Sequence, residues 1–187
     1  MITEAAIKKL GEKIQKHSEL YPNLPVKAEQ FESLFSDVFE TEWVANNHNT
    51  NEDMTTVIEG MERPSLKSGL LKDGSVKISS HRTTTHKTLQ EKIKFLDSRT
   101  YDSYVCLSRP DKKKTHKYQL LYLPKSVIKF DSLIWIDTYN KKGISSGWKG
   151  KSSDNLIEVD IVKSMSDQVW IKINMKLITV LAEYDFT

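Results

Sequence analysis

A single cysteine narrows the chemistry of this 187-residue chain at once. Cys106 alone can form neither an internal disulfide nor a cysteine-ligated zinc site. It lies in the apolar run Tyr104-Val105-Cys106-Leu107, where a thiol acts as a small buried side chain rather than a nucleophile. No apolar run approaches the roughly 18 residues that span a bilayer. The N-terminal residues read as a charged helix without an apolar leader, so the expected setting is cytoplasmic, away from membranes. There is no phosphate-cradling P-loop, no G-x-G-x-x-G and no G-x-S-x-G nucleophile elbow. No internal repeat is visible. His48 and His116 stand alone, and His81 with His86 lacks a zinc-type spacing.

What remains is the composition of an ordinary soluble domain, 38% hydrophobic and 28% charged, so a real core is expected. The net charge of +3 is too small to name a partner, and the placement of the charges matters more. We expect one domain over 1–187: N-terminal helices in 1–46, a central core in 54–138 and a β-rich part in 139–187.

Glu4 to Leu20 reads as an amphipathic helix with Ile7, Leu10, Ile14 and Leu20 on its apolar side. Tyr21-Pro22-Asn23-Leu24-Pro25 ends it. Phe31, Leu34, Phe35, Val38 and Phe39 mark a second helix running to about Val44, and Asn46 to Asp53 reads as a loop. Asp73-Gly74 between two β-compatible runs predicts a hairpin of Pro64 to Leu71 with Ser75 to Thr85. A short helix follows over Thr88 to Ser98. Strands are expected over Tyr101 to Arg109, Lys117 to Leu123, Ser132 to Thr138, Ile157 to Val162, Gln168 to Ile173 and Leu177 to Tyr184. Asn140 to Asp154, rich in Gly, Ser and Lys, is expected to be a loop. This order implies an α/β or α+β fold, a mixed sheet flanked by helices.

Ser75 to Leu96 concentrates chemistry-bearing groups: Lys77, His81, Arg82, His86, Lys87 and Glu91 on one strand–helix unit. Ser75 and Lys77 alternate onto one strand face, and Glu91 on the next helix would reach the same point. A lysine beside acidic oxygens is what a Mg²⁺-dependent phosphodiesterase needs. The order helix, hairpin, helix, strand, over about residues 29–123, resembles the core of the PD-(D/E)XK restriction-endonuclease-like nucleases. Pro64-Ser65 lies where that family has Pro-Asp, and Ser75-Val76-Lys77 with Glu91 resembles the branch that draws its acid from the following helix. The resemblance implies a restriction-type endonuclease cutting double-stranded DNA as a homodimer. Ser75, Lys77 and Glu91 would be catalytic, and Glu91 would hold Mg²⁺ with an acid that replaces the one missing at Ser65: Asp73 or Glu62, or else Asp53, Glu32 or Glu42, a choice the sequence leaves open. Ser65 departs from the pattern, since it is not an acid. Glu91 has a second reading, as the closing residue of the capping box Thr88-Leu89-Gln90-Glu91.

Three basic clusters suit phosphate contact: His81-Arg82 with His86-Lys87; Lys112-Lys113-Lys114 with His116-Lys117; and Lys141-Lys142 with Lys149 and Lys151. Lysine-rich turns also keep sheet edges soluble. Trp148, between glycines, reads as a plug closing the sheet in preference to a stacking residue. Two alternatives to the endonuclease stay open: a non-catalytic nucleic-acid-binding module, and a protein–protein interaction domain.

Overall fold

The computed structural model describes residues 2–40, 64–110 and 116–187. Helix α1 (Glu4–Leu20) starts where the Thr3 hydroxyl accepts from the Ala6 amide and buries Leu10 and Ile14. Leu20 is exposed, contrary to expectation. Six residues beyond Ile14, it is turned roughly 120° off the apolar stripe. Helix α2 (Glu29–Phe39) buries Phe31, Phe35 and Val38. It stops short of Val44 because Glu40 turns left-handed (φ 53°), a conformation that closes helices.

Strands β1 (Pro64–Lys72) and β2 (Ser75–Arg82) form the expected hairpin. Asp73 and Gly74 have φ of 51° and 66°, the pair of positive values that a two-residue type I′ turn demands. Helix α3 (Leu89–Asp97) follows, then β3 (Ser103–Arg109) and β4 (Lys117–Pro124). The C-terminal part adds β5 (Ile134–Tyr139), β6 (Ser145–Lys151), β7 (Ile157–Val162), β8 (Gln168–Asn174) and β9 (Thr179–Asp185). All join one mixed sheet in the order β5-β6-β7-β8-β2-β1-β3-β4-β9, with β1 and β3 parallel. The fold is α+β with a β-rich C-terminal half.

Strand β6 replaces part of the loop expected over Asn140 to Asp154. Its glycines misdirect a propensity reading because they answer to packing. A Cβ on Gly147 (φ 144°) would lie 1.8 Å from the Ile161 carbonyl oxygen, and one on Gly150 would meet the Trp135 ring at 2.9 Å. Strand β2 ends at Arg82 rather than Thr85, after a register break between Ser79 and Arg82.

The two sheet faces are covered differently. On one, Ile93 and Leu96 of α3 share a core with Val76, Ile78, Val159 and Ile171. On the other, Leu10, Ile14, Phe31 and Phe35 pack over Leu66, Val105, Leu107 and Leu120. Helices α1 and α2 thus cover the β1-β3-β4-β9 half. Among the described residues, no helix covers β2 and β5–β8 on that side. No helix among the described residues is long and apolar enough to cross a membrane.

Candidate functional site

Strand alternation decides the fate of the expected Lys77–Glu91 pair. Val76 and Ile78 face α3, so Lys77 projects from the opposite face of the sheet. Its ammonium lies 5.3 Å from the centre of the Trp170 ring. Glu91, in the first turn of α3, is spent on the helix end. Its Oε2 accepts from the Thr88 amide (2.9 Å) and the Lys87 amide (2.7 Å), while Thr88 Oγ1 accepts from the Glu91 amide (3.2 Å). These amides, Thr88 first, hold the Glu91 carboxyl below the usual range. The capping-box reading therefore describes it.

The described members of the rest of the expected metal set do not gather either. Asp73 occupies the hairpin turn, at the other end of β2 from the start of α3. Ser75 is buried beside that turn, and Glu32 lies on α2. Glu42, Asp53 and Glu62 fall outside the described residues, as do Lys112, Lys113, Lys114 and His48. Among the described residues, no three His, Cys, Asp or Glu side chains form a group able to hold a metal. Lys77, Glu91 and Asp73 do not fit a shared Mg²⁺.

The basic groups fare differently. Register places Arg82 opposite Gln168, and Gln168 opposite Val162, at one end of the sheet. Lys163 directly follows Val162 and donates to Ser145 Oγ (2.7 Å). Ser145 opens β6 just after the turn that carries Lys141 and Lys142. The loop 83–88, with His86 and Lys87, leaves the same end of β2. The first cluster and half of the third, far apart in sequence, thus share one end of the sheet with Lys163 between them. Arg82, Lys87, Lys141, Lys142 and Lys163 are all exposed. None forms an ion pair with a described residue. Thr84, Thr85 and Ser164 add exposed hydroxyls.

Nearby carboxylates are mostly committed elsewhere. Glu91 caps α3, and Asp167 pairs with Lys92. Among the described residues, Asp137, on β5 opposite Trp148, is the exposed acid at this end without such a commitment. His81, expected to touch DNA, is half-buried instead. Its ring packs against Phe95 and Tyr101, with centroids 6.0 and 5.7 Å away. Lys149 is likewise withdrawn, bound to Glu158 (3.1 Å) and Asp160 (3.6 Å). The hydrogen bond to Glu158 raises its pKa. Lys151 pairs with Glu158 as well.

The residue that organises this end is Lys92, which periodicity alone does not single out. Its ammonium is fully buried. It donates to the Thr83 carbonyl (2.7 Å), to Asp167 Oδ2 (2.8 Å) and to the His86 carbonyl. The Asp167 carbonyl in turn accepts from the Thr83 amide (3.2 Å) and hydroxyl (3.1 Å). One cation thereby ties the loop 83–88 to the turn before β8. The signal available in the sequence was slight: position 92 adjoins Ile93 on the inward side of a short helix. Trp148 lies between Lys92 and Lys163, with ring centroid distances of 5.5 and 4.6 Å. It packs against the α3-side core, as a plug should.

No protein-family model, curated protein or solved structure matches the chain.

Proposed function

We propose that the chain binds nucleic acid through the basic end of its sheet, using Arg82, Lys87, Lys141, Lys142 and Lys163 on the backbone phosphates, and that binding needs no metal ion. The observation that carries this reading is the convergence of five exposed cations from three separate chain segments. None of them is neutralised by an ion pair with a described residue. Lysine and arginine displace counterions from phosphates, and neighbouring hydroxyls bond phosphate oxygens. Lys77, Lys172 and the half-buried Trp170 extend the surface along the sheet face that no described helix covers.

The test is fluorescence anisotropy with labelled duplex and single-stranded oligonucleotides in EDTA at low salt. The wild type should bind, and the combined variant Arg82→Ala, Lys87→Ala, Lys163→Ala should bind at least tenfold more weakly with an unchanged circular dichroism spectrum. A wild type that binds no oligonucleotide defeats the proposal.

A second reading, the Mg²⁺-dependent restriction-type endonuclease, has one observation behind it: the order α2, β1, β2, α3, β3 with a tight β1–β2 hairpin. It would have to draw its metal ligands from residues other than Glu91. Mg²⁺-dependent cutting of plasmid, abolished by Lys77→Ala, would favour it.

A further inference from the structure

The two edges of the sheet, nine-stranded among the described residues, are built differently. Strand β9, at one edge, carries Glu183 and Asp185, has a register break against β4, and is held by α1 through the Tyr184 hydroxyl and the Ile7 carbonyl (2.9 Å). Charges and bulges are how edge strands avoid pairing with other chains. Strand β5, at the other edge, has the sequence Ile-Trp-Ile-Asp-Thr-Tyr, with no lysine and no proline. Ile134 is 64% exposed, Ile136 57% and Tyr139 62%. Among the described residues, β5 pairs only with β6, so its outer backbone groups have no ladder partner.

We propose that β5 pairs antiparallel with β5 of a second copy of this chain, about a two-fold axis through Ile136. This rests on the edge alone and is independent of the nucleic-acid reading. The occupant follows from self-complementarity. A two-fold axis normal to the sheet keeps each face on its own side and sets Ile136 opposite Ile136. Ile134 then meets Thr138 of the second copy, and Trp135 meets Asp137. Asp137 is the one ionisable group of the strand, apart from the Tyr139 phenol, and it never faces itself. No like charges oppose each other, and on one face an Ile136–Ile136 pair flanked by two Ile134–Thr138 pairs lines the seam. Beside it runs an open groove of about 200 Å³ lined by Ile134, Ile136, Lys149, Lys151, Ser152 and Asn155, which the second copy would extend across the axis.

Sedimentation equilibrium of the full chain, from micromolar to several hundred micromolar, tests the proposal. The mass should rise with concentration from 21.6 kDa towards twice that value. Ile136→Lys sets two ammonium groups face to face on the axis and should leave a monomer throughout, whereas Ile136→Val should associate like the wild type. At concentrations where the wild type is monomeric, thermal unfolding of Ile136→Lys should match it, because the side chain is mostly solvent-exposed in the single chain. A wild type that stays monomeric overturns the proposal, and so does association that survives Ile136→Lys but is lost on Val180→Lys at the opposite edge.

Discussion

At the scale of the residue, two charged side chains of this protein do opposite jobs. Lys92 is buried, and its ammonium is satisfied by two carbonyls and a carboxylate. Removing one member of a buried pair strands the other, at a cost of roughly 3–5 kcal/mol. Lys92→Met should lower the urea-unfolding free energy by about that much. Adding Asp167→Asn should recover part of the loss, because the orphaned charge is then gone. A loss under about 1 kcal/mol would mean that the network is not a structural tie. Asp185 works at the surface. Lys117 (2.5 Å), then the Thr187 hydroxyl and amide, pull its pKa down to about 2. A depressed carboxyl pKa favours the folded state above the ordinary carboxylate range, and that contribution disappears as pH falls towards about 2. In an NMR titration the Asp185 carboxyl should have its midpoint near 2, and Lys117→Met should move it upward.

At the scale of the element, most of the fold was legible. The Phe31–Phe35–Val38 stripe, the Asp73-Gly74 turn and the buried Tyr104–Leu107 strand follow periodicity and turn chemistry that depend only on near neighbours. Strand β6 was illegible because its glycines are chosen by contacts across the sheet. Gly147→Ala makes this testable. Its Cβ would run into a backbone oxygen held in the β6–β7 ladder, at a φ that L-residues avoid. The variant should lose about 3 kcal/mol, the upper end of overpacking costs, in chemical denaturation. Retention of wild-type stability would show that β6 is not held at this register. The candidate site was legible only in pieces. Arg82, Lys87, Lys141 and Lys142 stand out as candidates in the sequence, and the capping box that competes for Glu91 is present as read. The Lys77–Glu91 convergence failed because spacing along the chain does not say which sheet face a helix crosses back on. Packing of Ile93 and Leu96 against Val76 and Ile78 decides that.

At the scale of the whole molecule, the net charge of +3 understates what a polyanion would meet. Among the described residues, carboxylates are drawn into caps, a buried pair and the Lys149–Glu158–Lys151 ladder, which leaves the basic end with cations to spare. Salt dependence measures that surplus directly. If the five cations at the basic end each displace a counterion, log K for duplex DNA should fall with log[salt] at a slope of about −4.5. For single strands, where counterions are condensed less densely, the slope should be about −3.5. Deleting Arg82, Lys141 or Lys163 singly should flatten the slope by about 1 and weaken all sequences alike, because phosphate contacts carry no base information. Lys149→Ala should leave the slope unchanged, since that ammonium is already occupied by Glu158 and Asp160. A slope that responds to Lys149 but not to Lys163 would move the interface off the sheet end and onto the face that carries Lys149 and Lys77.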